Sequence, residues 1–253
     1  MISILIPVYN ESDTLAPSLA KLAAYLTDVG LISAGSQDYS QVEVLITDNG
    51  STDRTFEIVQ ELALKYPWVV PNRIPQRGPG RAFSSAAMRA RGDIIITLDI
   101  DLSSDLKFIE YARDLLQYAD CVVGSKTMGN QRRTVLRILG SQFYIMCAQV
   151  LFDLTISDYS IGCKAFRRAV ILPVVQHLDP WTGFMLEAVL YLKSRCHTIL
   201  QISIDCNDTR KSRFSLLHEG LFRFRHMARC RKLLRTPGTW LALPIAIIKS
   251  RCQ

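Results

Sequence analysis

Apolar residues in the first half of the chain fall in short dense runs, separated by longer stretches with helical spacing. Ile2-Ser3-Ile4-Leu5-Ile6, Val42-Glu43-Val44-Leu45-Ile46 and Ile94-Ile95-Ile96-Thr97-Leu98 are β-branched runs of strand length. Val69 to Ile74 and Cys121-Val122-Val123-Gly124 add two shorter strands. Helices are predicted from Ser12 or Asp13 to about Val29, from beyond Asp53 to about Lys65, from the Arg77-Gly78-Pro79-Gly80-Arg81 turn to Arg91, and from Asp105 to Tyr118. Gly30 to Gln41 reads as a polar loop. Strands alternating with helices predict a parallel, doubly wound α/β sheet, and the unbroken apolarity of Ile94 to Leu98 predicts a strand buried on both faces. Further on, one apolar helix is expected to end near Phe152 and a second to run from Leu216 to Leu234.

The polar residues that interrupt this pattern cluster at strand ends. Asp99 and Asp101 follow the Ile94–Leu98 run at its carboxyl end, where open α/β sheets place their ligands. In extended chain, residues i and i+2 point the same way. Two carboxylates so placed repel each other unless a cation sits between them, and Mg²⁺ or Mn²⁺ suits all-oxygen donors when phosphates complete the shell. A helix capped by Ser103, Ser104 or Asp105 accounts for Asp105 but not for the pair. Tyr9 offers a ring to stack on a base, and Glu11 and Asp48 offer acceptors to a base or ribose. Gly78 and Gly80 would let amides approach a phosphate at a helix N-terminus, and Arg81 adds a planar cationic fork. Singly, each of these is as well read as a turn, a cap or a loop. Their coincidence at one sheet edge is what selects a site.

Composition narrows the partners. The 253 residues suffice for an α/β domain with a sizeable core. Thirty Lys and Arg against 23 Asp and Glu give a net charge of +7, which favours nucleic acid, anionic lipid or a phosphorylated substrate. The seven cysteines show no Cys-x-x-Cys spacing and read as reduced thiols of a cytosolic compartment, not as a disulfide frame or a zinc site. Met1 leads straight into a strand-like run without a signal-peptide pattern, and no apolar run reaches the roughly 18–20 residues that span a bilayer.

Pro7-Val8-Tyr9-Asn10-Glu11, Asp48-Asn49-Gly50-Ser51-Thr52-Asp53, Gly78-Pro79-Gly80-Arg81-Ala82 and Asp99-Ile100-Asp101-Leu102-Ser103 resemble, in order and spacing, the family 2 glycosyltransferases of the GT-A fold. The resemblance implies a Rossmann-like, mostly parallel sheet flanked by helices. It also implies a nucleotide-sugar donor held by Pro7, Tyr9, Asn10, Glu11, Asp48, Gly78, Gly80 and Arg81, with the cation on Asp99 and Asp101. Residues 1–210 would form the GT-A domain, with a donor half to 127 and an acceptor half from 128. In the acceptor half, Gly124-Ser125-Lys126, the basic start Arg132-Arg133-Thr134-Val135-Leu136-Arg137 of an apolar helix, and Ser157-Asp158-Tyr159-Ser160-Ile161-Gly162-Cys163-Lys164-Ala165-Phe166 are similar to the polyprenyl-phosphate hexose synthases. That subtype implies a dolichyl-type polyprenyl-phosphate acceptor, with Lys126, Arg133, Arg137, Ser141 and Arg213 facing its phosphate. The chain departs from the pattern at Lys126 for Arg, Cys163 for Phe and Met185 for the Asp of a Phe-Asp-x-Glu stretch, of which Glu187 is kept.

Residues 211–253 are expected to form a basic amphipathic segment. Leu217, Leu221, Phe224 and Met227 alternate with Arg223, Arg225, Arg229, Arg231 and Lys232, and Trp240 follows. A charge run is most often a solvated helix face; this alternation equally suits a helix lying on an anionic membrane. The whole predicts a peripheral enzyme on the cytoplasmic face of a membrane, with a membrane partner subunit left open. Its reaction would be metal-dependent, inverting transfer of a hexose from GDP-mannose or UDP-glucose to the lipid phosphate. An ionised phosphate needs positioning rather than a base, and His177, His197, His218 and His226 lie away from every motif and are expected to be structural. One rival is transfer to a hydroxyl acceptor, with Glu187 as its family-placed base. Another is a non-catalytic basic module binding lipid or nucleic acid, which explains the charge but not the carboxylates, and a third, a nucleotidyltransferase, shares the Asp pair and Gly-rich loop but fits the second half poorly.

Overall fold

A computed structural model describes residues 1–33, 39–126, 128–129, 135–159, 162–207, 216–236 and 238–242, without the side chains of 135–137 and 216–218. Its strands are β1 (Ile2–Val8), β2 (Val42–Asn49), β3 (Val69–Ile74), β4 (Ile94–Thr97), β5 (Cys121–Ser125), β6 (Lys164–Arg167) and β7 (Ile199–Ser203). They form one sheet in the order β3-β2-β1-β4-β6-β5-β7, parallel throughout except for β6, which runs against both its neighbours. The helices are α1 (Ser12–Asp28), α2 (Thr55–Lys65), α3 (Pro79–Arg89), α4 (Phe108–Leu115), α5 (Val135–Phe152), α6 (Arg168–Ile171), α7 (Phe184–Ser194) and α8 (Leu216–Arg235).

Both faces of the sheet are covered, as the β-branched runs predict. Ile4, Ile6 and Ile96 enter one core with Leu15, Leu19, Leu22 and Leu26 of α1. Leu5, Leu45 and Ile95 enter the other with Phe83 of α3 and Phe166 of β6. Alternate residues of a strand thus feed opposite layers. α7, buried nearly all round, belongs to the second core, and so do Met227 and Cys230 of α8. The basic helix is therefore packed on one face rather than solvated all round.

Two local features prepare the site. β1 pairs with β2 on one side and β4 on the other, so chain order reverses beside it and a crevice opens at the carboxyl ends of the three strands. Pro7 tolerates this central position because of its parity. Leu5 turns its carbonyl to Leu98, and Pro7 turns its missing N–H to the same side, where the β4 pairing has already ended at Thr97.

Candidate active site

Three strand ends meet at this crevice: Tyr9 follows β1, Asp48 lies near the end of β2, and Asp99 follows β4. The two carboxylates after β4 come together, though not by strand alternation. The strand stops at Thr97, and the Leu102 amide donates to the Asp99 carbonyl at 3.0 Å with Leu102 at φ 46°, so Asp99 to Leu102 is a tight turn. Asp101 Oδ1 accepts the Ser103 amide at 3.1 Å and steadies that turn. Asp99 is exposed to solvent, with Gly162 close against its carboxyl. Desolvation and then the charge of Asp101 push its carboxyl above the ordinary carboxylate range, against the Gly162 amide, Lys126 and Lys164. A carboxylate pair strained in this way is what a hard divalent ion relieves, and the oxygen-only donor set fits Mg²⁺ or Mn²⁺.

The Ser157–Lys164 stretch backs this pair. The Gly162 amide donates to Asp99 Oδ2 at 3.3 Å, and a Cβ on Gly162 would lie 2.6 Å from that carboxyl. Lys164 is fully buried on β6, where desolvation holds its ammonium below its ordinary pKa and Asp158 opposes the shift. Lys126, expected to face the acceptor phosphate, is instead buried: its Nζ lies 3.6 Å from Asp158 Oδ2. The physical reason is Asp158 itself, a fully buried charge that has to be matched by nearby cations.

Asp48 is fully buried. Its Oδ1 accepts the Ser51 amide at 3.0 Å, while Oδ2 has no hydrogen bond, although Arg73 Nε stands 3.3 Å away at ion-pair range. An acceptor buried without a hydrogen bond suits a ring N–H of a nucleobase. Tyr9 already carries a cation. The Arg77 guanidinium lies 4.0 Å from the Tyr9 ring centroid and 5.5 Å from that of Trp181.

Asn10 and Glu11 join the loops. The Asn10 amide donates to Ser51 Oγ, its side chain exchanges hydrogen bonds with Thr52, and the Glu11 amide donates to Thr55 Oγ1. Asn49 ties the same corner, giving Nδ2 to the Val8 carbonyl and taking the Gly78 amide.

The expected phosphate cradle at α3 is corrected. The amides of Gly80 and Arg81 donate to the carbonyls of Trp181 and Pro180, the Gly78 amide goes to Asn49, and Pro79 has none to give. The glycines are there because the 179–181 loop lies against them: a Cβ on Gly80 would sit 2.0 Å from the Asp179 carbonyl and one on Gly78 2.4 Å from that of Pro180. Arg81 is exposed and donates to the Arg77 carbonyl.

The remaining expected acceptor residues are less fully placed. Ser141 is half-buried on α5, Arg137 lies on α5 with its side chain outside the described residues, and Arg133 and Arg213 lie outside them altogether. Arg73, Arg77, Asn49, Gly162 and Trp181 are the site residues that sequence reasoning assigned no role. For Gly162 the signal was its motif, and for Trp181 there was none.

With a reversed-order sheet carrying carboxylates at its switch point, the molecule is a GT-A-like α/β protein. The family model for glycosyl transferase family 2 matches residues 3–172, and the chain belongs to that family. Among curated relatives, it is 27% identical to the dolichyl-phosphate beta-glucosyltransferase ALG5C of Trichomonas vaginalis, over 83% of this chain and 65% of the relative. It is 29% identical to an undecaprenyl-phosphate 4-deoxy-4-formamido-L-arabinose transferase of Pseudomonas fluorescens over 67% and 48%, and 24% identical to the dolichol-phosphate mannosyltransferase of Pyrococcus furiosus over 91% and 64%. The chain thus spans about half to two-thirds of these relatives' lengths. The fold matches the glucosyl-3-phosphoglycerate synthase of Mycobacterium tuberculosis in complex with UDP, at a TM-score of 0.64 and 18% identity over 97% of this chain and 82% of that one. A complex of the same synthase with Mn²⁺, UDP and its product matches at 0.63 and 18%, over 93% and 79%.

Proposed function

We propose that the protein is a metal-dependent, inverting glycosyltransferase that moves a hexose from a nucleoside-diphosphate sugar to a polyprenyl phosphate at a membrane surface. The observation that carries the reading is the placement of Asp48, Asp99 and Asp101 at the carboxyl ends of neighbouring strands, with a buried acceptor oxygen lacking a hydrogen bond on the first and two like charges in one tight turn in the others. Asp48 would take a base N–H, and Asp99 and Asp101 would hold Mg²⁺ or Mn²⁺. When bound, the ion would act as a Lewis acid and template for the departing diphosphate. Tyr9, Arg77 and Trp181 form the adjoining cationic and aromatic wall. The polyprenyl-phosphate relatives support the acceptor class.

Glu187 favours a phosphate acceptor over a hydroxyl. It is fully buried on α7, with Oε1 2.9 Å from His226 Nε2 and Oε2 accepting the Asp179 amide. A base must reach the proton it abstracts, and this carboxylate is sealed among core side chains. A phosphate monoester, largely ionised near neutral pH, needs only positioning, a task proposed for Arg133, Arg137 and Arg213.

The membrane reading rests on α5 and α8. Leu139, Phe143, Met146 and Val150 of α5 are exposed, and so are Leu221 and Phe224 of α8. The groove between the two helices is lined by Met146, Val150 and Met227 and also by Arg231, Lys232 and Arg235. Exposed apolar side chains beside cations match an anionic bilayer surface. No helix among the described residues is long and apolar enough to cross a membrane.

The test is a donor panel, with GDP-mannose and UDP-glucose among the sugars, offered with a short polyprenyl phosphate and Mg²⁺ or Mn²⁺ and read by mass spectrometry. A hexosyl-phosphate lipid that disappears with EDTA is expected. Transfer to a sugar hydroxyl while the lipid phosphate is ignored would overturn the acceptor assignment.

A further inference from the structure

Away from the sheet edge, α7 and α8 bring three ligand-type side chains together inside the protein. Glu187 lies on α7, and His226 and Cys230 lie one turn apart on the same face of α8. Glu187 and Cys230 are fully buried and His226 nearly so. His226 Nε2 is 2.9 Å from Glu187 Oε1, and Cys230 Sγ is 3.7 Å from that nitrogen and 3.9 Å from that oxygen. A tetrahedral ion bound at about 2.05 Å to nitrogen and oxygen and about 2.3 Å to sulfur sets N and O about 3.3 Å apart and S about 3.6 Å from each. The three donor separations are within a few tenths of an ångström of that arrangement, and because Cys230 Sγ stands 3.7 Å from Nδ1 as well as from Nε2, the imidazole has to turn to aim Nε2 at a shared ion.

Their surroundings hold them there. Glu187 Oε2 accepts the Asp179 amide at 2.5 Å, which fixes the carboxylate plane. The His226 ring stacks on Phe222 with centroids 5.8 Å apart and planes at 21°. Gly183 also gives the ring room, since a Cβ there would fall 2.5 Å from it. Outer contacts that orient each ligand are a regular feature of metal sites. A divalent ion with one thiolate, one carboxylate and a neutral imidazole is also electrically neutral, which suits a site without water-exposed donors.

We propose that Glu187, His226 and Cys230 form a transition-metal site, suited by its mixed sulfur, nitrogen and oxygen donors to Zn²⁺, that fastens the basic helix α8 to α7. Binding replaces two protons, the thiol proton of Cys230 and the one shared by His226 and Glu187, and both leave to solvent. Three protein donors would leave the fourth position to a water molecule carried in with the ion, since the donors themselves are buried. The site revises the expectations that the cysteines include no zinc ligand and that His226 is purely structural. Sequence spacing could not show it, because Glu187 lies 39 residues from His226.

The full chain, stripped of metal, is titrated with Co²⁺ in the Asp101→Asn background so that the carboxylate pair competes less. The expected result is a thiolate-to-cobalt charge-transfer band in the near ultraviolet with strong visible bands of a four-coordinate ion. Both should saturate at about one ion per chain and be displaced by Zn²⁺. Adding Cys230→Ser should abolish the charge-transfer band, and Zn²⁺ should raise the melting temperature of Asp101→Asn but not of the double variant. Absence of a thiolate band in the protein with Cys230 intact, which requires no core variant to fold, overturns the proposal. So does a band unchanged by Cys230→Ser, which would place the ion on another cysteine.

Discussion

Asp48 and Asp101 are both short acidic side chains at strand ends, yet their surroundings set them different tasks. Asp48 is buried with one oxygen satisfied by Ser51 and the other, beside Arg73, without a hydrogen bond, which suits a directional hydrogen bond from a base. GDP or UDP with Mg²⁺ is therefore expected to raise the melting temperature, since a ligand bound only by the native state stabilises it by mass action. Asp48→Ala should reduce that shift, and scanning calorimetry with and without nucleotide checks it. Asp101 lies in the turn beside Asp99 and adds to its unfavourable charge, which is why the pair is proposed to hold a cation. Asp101→Asn is expected to lower turnover by about 10²-fold or more, the loss of several kcal/mol of transition-state stabilisation. Activity unchanged in that variant, or in EDTA, would remove the metal from the mechanism. All three aspartates were legible because each ends or follows a β-branched run. What could not be read was Glu187, whose motif position points to a base while its burial against His226 points to the core.

Among the elements, those whose apolar pattern is local were readable and those fixed by distant contacts were not. β1 to β5 stand out as β-branched runs, and β3 matches its expected span of Val69 to Ile74. β6 carries a fully buried Lys164, a residue that strand propensity disfavours and that is held by Asp158 from another loop. α7 is apolar nearly all round and so shows little helical periodicity. The start of α3 is the instructive case. Gly-Pro-Gly-Arg reads as an anion cradle, but the Gly78 amide is taken by Asn49 and those of Gly80 and Arg81 by a loop about 100 residues away that no local pattern announces. Gly80→Ala should consequently act on packing first. Backbone cannot yield as a flexible side chain does, so a loss of about 1–3 kcal/mol is expected from overpacking. Urea denaturation measures it. The displaced 179–181 loop carries Trp181, so nucleotide-induced stabilisation should weaken in parallel. A variant of native stability with selectively impaired nucleotide binding would restore the phosphate cradle.

For the whole molecule, the residues proposed to hold the donor sit at the switch point of the sheet, while exposed apolar residues and cations gather on α5 and α8. If that second surface is where the protein meets its lipid, docking and acceptor recognition are separable. Vesicles containing anionic lipid should sediment the protein, and salt should release it, because screening shortens the reach of exposed charge. Replacing Arg231, Lys232 and Arg235 by Gln should weaken sedimentation, at roughly 1 kcal/mol for each cation near the surface. The same variant should still glycosylate a polyprenyl phosphate dispersed in detergent, where no bilayer has to be found. Arg133→Ala combined with Arg137→Ala should do the reverse, leaving sedimentation largely intact and raising KM for the lipid phosphate by removing charge-assisted hydrogen bonds to it. The two readouts keep the assignments apart. If the arginine double variant handles lipid phosphate normally, the start of α5 is a solvated helix end. If neither set of cations alters sedimentation, the apolar side chains between them do not face a membrane, and the groove between α5 and α8 is left without a lipid role.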